Sequence, residues 1–240
     1  MKVLGIIPAR YSSSRFPGKP LVDLKGKTMI QRVYEGASKS SLIDEVIVAT
    51  DDQRIVDEVL RFGGKVEWTR ADHASGTDRC AEVAERHSNA DLIINIQGDE
   101  PLINYLQLDE LIHEFKDPSV EIATLATPFK EELEFKNQNR IKVVLNAERD
   151  ALYFSRAAIP SNSHGNSLSN VKLKHIGVYA FQRQVLLTVA KLPVCKLEQE
   201  ESLEQLRWIY YNWKIRVGIT QIDTPNIDTL EDVQKVLDML

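Results

Sequence analysis

The chain is poor in cysteine: Cys80 and Cys195 are the only two among 240 residues, far apart and in no metal-ligand spacing. That excludes a disulfide framework, and a reducing compartment is the expectation. The sequence also lacks any apolar run near the roughly 20 residues needed to span a bilayer. The opening Met1–Pro8 is too short, and too soon interrupted by proline, to be a signal peptide. A soluble cytoplasmic protein with no membrane partner is expected. An excess of positive charge is missing too, with 30 Lys and Arg against 35 Asp and Glu and a net charge of −5. Such a chain has no general attraction to nucleic acid or anionic lipid. No compact Asp-x-Asp motif is present, which weakens the case for a glycosyltransferase acting on a ready-made sugar nucleotide.

What is present is unevenly placed. Residues 1–40 carry eight Lys and Arg against two Asp and Glu, whereas the other 200 residues carry 22 against 33. A basic N-terminal segment on an acidic body suggests a small polyanion bound locally. With 43% apolar residues, the chain can build one ordinary α/β domain over 1–240. Its halves differ, at about 1–120 and 121–240.

The first half alternates apolar runs with helical periodicity. Val3–Pro8 reads as a strand buried on both faces. A helix carrying Met29, Ile30, Val33 and Ala37 follows. Then come a strand at Glu45–Asp51, a helix at Asp52–Phe62 with Ile55, Val56, Val59 and Leu60 inward, and a strand at Lys65–Thr69. A helix at Thr77–His87 and a strand at Leu92–Ile96 complete the rhythm. This pattern predicts a mostly parallel sheet with helices on both faces, whose ligands bind beyond the carboxyl ends of the strands. In the second half, Glu121–Phe129, Ile141–Asn146, Ala151–Ser155 and Ile176–Phe181 read as antiparallel additions. Ile159–Leu173 reads as a mobile loop. Helices at about Gln182–Lys191 and Glu198–Trp213, a strand at Ile215–Ile222 and a helix at Leu230–Leu240 end the chain.

Four segments carry candidate chemistry. The loop Pro8–Leu21 (PARYSSSRFPGKPL) follows the first strand directly. Its Gly18 permits close backbone approach, and Arg10, Arg15 and Lys19 offer three cations to the charges of a nucleoside triphosphate. It is neither a Walker A motif nor a GxGxxG fingerprint. Asn95–Pro101 (NIQGDEP) ends the fourth strand and presents Asp99, a hard oxygen donor suited to Mg²⁺. Asp228, in Asp223–Asp232, either completes that metal site or caps the last helix. His73–Arg79 (HASGTDR) opens a helix whose free amides suit a base or phosphate.

The strings PARYSSSRFPGKPL, ATDD, SGTDR, NIQGDEP, ALYFSRAAIP, KHIGVYAF and LEQLR occur in this order. From about Val3 to Val233 the chain resembles the 3-deoxy-manno-octulosonate (Kdo) cytidylyltransferases, or CMP-Kdo synthetases. The resemblance implies a glycosyltransferase-A-like nucleotidyltransferase fold, a homodimer and two Mg²⁺ ions. It implies CTP and Kdo as substrates, with CMP-Kdo as the product for lipopolysaccharide or capsule. The second half would be the sugar-binding and dimerisation half. Carried onto this sequence, it gives the triphosphate to Arg10, Arg15 and Lys19. Pro8, Ala9, Ser75, Gly76 and Thr77 go to the nucleotide, with Arg79 nearby. The metal goes to Asp99 and Asp228, and the sugar to Gln97, Arg156, His175, Tyr179, Glu204 and Gln205. Kdo carries a carboxylate and several hydroxyls, so a cation with hydrogen-bonding groups, as in Arg156, His175 and Gln97, fits it. Two stretches depart from the family pattern, Ser161–Gly165 and Cys195–Lys196. Both lie on the sugar side. A cytidylyltransferase for a sialic-like acid and a catalytically dead nucleotide-binding protein are the rival readings.

Overall fold

The computed structural model describes residues 1–12, 16–161, 172–227 and 230–240. In chain order the first elements are β1 (Val3–Pro8), α1 (Met29–Ala37), β2 (Glu45–Thr50), α2 (Gln53–Arg61), β3 (Val66–Trp68), α3 (Gly76–Arg86), β4 (Leu92–Asn95) and α4 (Tyr105–His113). There follow β5 (Ile122–Pro128), α5 (Glu132–Lys136), β6 (Lys142–Leu145), β7 (Ala151–Ser155) and β8 (Leu173–Gln182). Last come α6 (Arg183–Val189), α7 (Lys196–Glu201), α8 (Gln205–Tyr210), β9 (Arg216–Ile219) and α9 (Leu230–Met239). The chain divides into two compact units.

The first unit comprises Met1–Asp109, Phe181–Ala190 and Thr224–Leu240. Its strands run in the order β3-β2-β1-β4, all parallel, and Ile6 of β1 sits between Ile47 and Asn95. Val3 to Ile7 and all of β4 are buried, as a strand covered on both faces requires. Each helix start has a local cause. Thr28 caps α1 by accepting from the Gln31 amide, and Asp52 caps α2 by accepting from the Arg54 amide. Ser75 and Asp78 form a reciprocal capping box on α3. Beneath the first loop, Leu24 and Met29 form a buried cluster with Ile227 and Val236, so α9 packs back onto the start of the chain.

The second unit comprises Glu110–Ala180 and Lys191–Asp223. Here β5 lies between β8 and β9, and β6 pairs with both β7 and β8. The β6 pairings are antiparallel, but β5 and β9 run parallel, with Thr124 opposite Val217. So β5, read from the sequence as an antiparallel addition, has a parallel neighbour in β9, a strand to which the sequence reading gave no direction. A long intervening stretch permits the crossover that a parallel pair needs.

Three other expectations change. Leu60 is exposed rather than inward, because Ile55, Val56 and Val59 already fill the buried face of α2. The helix read over Glu198–Trp213 is two short helices, α7 and α8, broken where Ser202 takes a left-handed conformation at φ 52°. The break lets Arg207 Nε donate to Glu198 Oε2 at 2.7 Å. In a straight helix those residues would lie about 13.5 Å apart along the axis. The helix α4, started by an Asn104 side chain that accepts from the Leu106 amide at 3.0 Å, has no counterpart in the periodicity reading.

Candidate active site

In the first unit, β1 and β4 end side by side, and the chemistry-bearing loops leave from those ends. After Pro8 the backbone stays on the sheet for one residue, with Ala9 N–H donating to Ala49 O at 2.9 Å. The loop closes where Gly18 N–H donates to Tyr11 O at 2.9 Å. Gly18 has φ +73°, and a Cβ there would lie 3.1 Å from the Tyr11 ring, so any other residue would be strained and crowded. Arg54 lies over the Tyr11 ring, its guanidinium carbon 3.2 Å from the centroid.

The turn after Gly18 places Lys19 at the end of β4. Its ammonium donates to Asp99 Oδ2 at 2.8 Å and to Ile227 O at 2.7 Å. The Ile227 amide in turn donates to Asp99 O at 2.9 Å. Lys19, Asp99 and the backbone just before Asp228 are thus one cluster. Asp228 and Arg15 themselves lie outside the described residues. Gly98 packs directly on β1: a Cβ there would meet Pro8 O at 3.1 Å.

The third contribution is the start of α3. Ser75 spends its side chain on the cap, and Thr77 is buried with its hydroxyl 3.5 Å from Asn95 Nδ2. Arg79 is buried as well. It pairs with Asp51 Oδ1 at 3.0 Å and donates to the Thr69 hydroxyl. Its charge is thereby held by the protein, in contrast to the exposed Arg10. These parts enclose a cavity of about 240 Å³. Pro8, Ala9, Arg10, Lys19, Ser75, Gly76, Arg79, Gln97 and Asp99 line it, as do His73, Pro20 and Gly98, which lie in the segments singled out from the sequence but were given no role of their own. His73 is fixed by a hydrogen bond between Nε2 and Glu82. Its place at the mouth of a helix after a strand was the available signal.

The remaining candidates belong to the second unit, except Gln97. The Thr124 hydroxyl donates to Val178 O at 2.7 Å, so it is the acceptor for His175 Nε2 at 3.0 Å. That assigns the Nε2–H tautomer and leaves Nδ1 as an acceptor. The His175 ring packs edge-on against Phe154 at 4.9 Å and beside Tyr179 at 5.3 Å. Burial pushes its pKa down to about 3, so it is a neutral hydrogen-bonding group and not a cation. Tyr179 is pushed well above its ordinary value, first by burial and then by the negative charge of Glu204, with an opposing effect of the nearby Thr124 side chain. Tyr179 also meets Trp208 edge-on at 5.0 Å. Glu204 is half-buried and Gln205 buried, at the start of α8. The Arg156 guanidinium donates through Nε to Glu201 O at 2.7 Å, with longer bonds to Gln138 O and Ser202 O at 3.2 and 3.4 Å. A larger cavity of about 800 Å³ in this unit is lined by Val144, Leu145, Leu173, Ile219 and neighbours without a charged group, so it does not suit a polyphosphate. Among the described residues no group of three or more His, Cys, Asp or Glu side chains is arranged to hold a metal alone.

A parallel sheet that brings a glycine-bearing basic loop, a lysine–aspartate pair and a helix N-terminus to one cavity is the framework of a nucleotidyltransferase. The cytidylyltransferase family profile matches residues 4–215. A 3-deoxy-manno-octulosonate cytidylyltransferase of Syntrophobacter fumaroxidans is 48% identical over 243 residues, covering 100% of this chain and 97% of its own. The enzyme of the same name from Parabacteroides distasonis is 49% identical, covering 100% and 98%. A solved CMP:2-keto-3-deoxy-manno-octonic acid synthetase, complexed with CTP, superposes with a TM-score of 0.93 at 44% identity, covering 100% of this chain and 98% of that one. The chain belongs to the 3-deoxy-manno-octulosonate cytidylyltransferase family.

Proposed function

We infer that the protein transfers CMP from CTP to Kdo, releasing pyrophosphate and forming CMP-Kdo for lipopolysaccharide or capsule. The observation that carries this reading is the cavity at the ends of β1 and β4, where Lys19, Arg10 and Asp99 meet the α3 N-terminus in a chain 44–49% identical to relatives of that name. The anomeric 2-hydroxyl of Kdo attacks the α-phosphorus of CTP in line, and the bond to the bridging oxygen of pyrophosphate breaks. No protein nucleophile is required. Lys19 and Arg10, with Arg15, hold the triphosphate and offset the charge that grows on the departing pyrophosphate. Pro8, Ala9, Ser75, Gly76 and Thr77 bind the nucleoside and its phosphates, with Arg79 behind them. In the second unit, Arg156 meets the sugar carboxylate, while neutral His175, Tyr179, Glu204 and Gln205 meet hydroxyls. Gln97 is assigned to the sugar as well.

Magnesium is part of this proposal. Asp99 fits it: a hard carboxylate on the cavity wall, partly exposed, in a site where phosphate oxygens would supply further donors. Asp99 and Asp228 would hold one ion, and a second would ride on the β- and γ-phosphates. Bound there, such ions would supply Lewis-acid activation and offset phosphate charge. A homodimer in the cytoplasm completes the reading. The test is pyrophosphate release with Kdo and each of CTP, UTP and ATP, then with CTP and a sialic acid. Turnover with CTP and Kdo well above the other pairs is expected; equal turnover with UTP, or preference for the sialic acid, refutes the assignment.

A further inference from the structure

Lys142 is the most deeply buried cation among the described residues, with no exposed surface. It sits on β6, yet its ammonium does not meet a carboxylate. It donates to two backbone carbonyls, Asn137 O at 2.8 Å and Arg156 O at 2.6 Å. A buried ammonium satisfied only by neutral groups is costly. Burial lowers its pKa, the charge of Glu201 opposes this, and the neighbouring Arg156 lowers it further.

The other end of Arg156 is held as firmly. Glu201 Oε2 accepts from the Arg156 amide at 2.8 Å, and Glu201 Oε1 accepts from the Ser155 hydroxyl at 2.6 Å. Arg156 therefore has its N–H fixed by a carboxylate and its C=O fixed by an ammonium. Its side chain is oriented by the same helix end, through the carbonyls of Glu201 and Ser202. A guanidinium has five N–H donors. Among the described residues three are engaged, with Glu201, Gln138 and Ser202, and two remain, the number a carboxylate accepts from a forked donor.

We propose that Lys142 and Glu201 are positioning residues for the acceptor sugar: by bracketing the Arg156 peptide from both ends, they aim its two remaining donors at the sugar carboxylate. This rests on the assignment of Arg156 to Kdo made above. Neither residue touches substrate. Their loss should therefore weaken sugar binding and leave CTP binding alone, since the CTP cavity is lined by other residues.

The test is steady-state kinetics of the full chain with CTP and Kdo varied separately, for Lys142→Met, Glu201→Gln and Arg156→Ala. Glu201→Gln keeps shape and one acceptor oxygen, so it serves if Lys142→Met fails to fold. The expected result is a KM for Kdo raised at least about tenfold in both bracket variants, with the KM for CTP within about twofold of wild type. Lys142→Arg should recover part of the loss. An unchanged KM for Kdo in the bracket variants, while Arg156→Ala raises it, overturns the bracket alone. Parallel rises for both substrates, tracking lost thermal stability, overturn it in favour of a purely structural role. An Arg156→Ala variant with normal Kdo kinetics overturns both the bracket and the Arg156 assignment. A wild-type protein inactive on CTP and Kdo overturns the proposed function itself.

Discussion

Replacing Lys19 by methionine removes one charge and little volume, and the structure gives two separate magnitudes for the consequence. The first concerns stability. At 2.8 Å the Lys19–Asp99 pair has a gross Coulomb energy of about 6 kcal/mol at an effective dielectric of 20. The side chains keep 17% and 27% of their surface, so screening and desolvation cancel most of that. The bond to Ile227 O adds about 1 kcal/mol. A net loss of about 1–3 kcal/mol follows, or a fall in Tm of roughly 2–12 °C for a chain of this size. The second concerns turnover. A fixed charge on a developing phosphate oxyanion contributes about 3–4 kcal/mol, so kcat should drop by about 10²-fold or more. The two losses separate under CTP. At 100 times its dissociation constant, CTP should raise wild-type stability by about 2.7 kcal/mol, and the variant should lose much of that gain. The assay is pyrophosphate release beside chemical denaturation with and without CTP. A folded Lys19→Met protein with near-normal kcat and full protection by CTP would refute the phosphate role.

Asp99→Asn and Asp228→Asn should each abolish most turnover while the fold survives, and the double variant should be little worse than either, since both act through one ion; independent, additive losses in pyrophosphate release would show that they do not share it. For His175, with a folded pKa of about 3 against an unfolded value near 6.5, the unfolded chain alone takes up a proton between those limits. Its contribution is complete above about pH 6.5 and is lost as pH falls toward 3. Between pH 7 and 5 wild type should lose about 2 kcal/mol more than His175→Gln in urea unfolding; equal losses would mean that His175 is charged in the native state. Gly98→Ala puts a Cβ 3.1 Å from Pro8 O, a backbone atom that must move. CTP affinity measured by calorimetry should fall several-fold with a stability loss of about 1 kcal/mol or more; wild-type affinity would show that β1 can give way freely.

How far the sequence reveals this arrangement depends on the kind of constraint. Most strands and helices of the first unit were legible because burial imposes a simple period: Val3–Ile7 and Leu92–Ile94 carry no polar side chain, and Thr28, Asp52 and Ser75 stand at helix starts. The Lys19–Asp99 pairing was legible only as two residues after strands of one sheet. Their 2.8 Å contact, with Ile227 O as the third member, comes from tertiary packing. The break at Ser202 was illegible, since a serine in the left-handed region follows no local rule, and the Glu198–Arg207 pair that the break permits joins residues nine apart, beyond helical spacing. Lys142 reads as an ordinary strand residue, and nothing in IKVVL shows that its ammonium turns inward to a carbonyl of Arg156. The likeness to known relatives carried the second-unit assignments; periodicity did not.

The cluster of Leu24, Met29, Ile227 and Val236 bears on how the protein is made. The first unit needs Met1–Asp109, then Phe181–Ala190, then Thr224–Leu240, so a ribosome must deliver the whole of the second unit before the first can close. During elongation, the early βαβ segment waits with Leu24 and Met29 uncovered and Lys19 without its Ile227 carbonyl. Contacts of such long sequence separation form late and slowly. The nascent nucleotide site is therefore incomplete until Ile227 and Val236 have left the exit tunnel, and a ribosome stalled before Thr224 would display the basic loop on an apolar, unclosed surface, a target for chaperones.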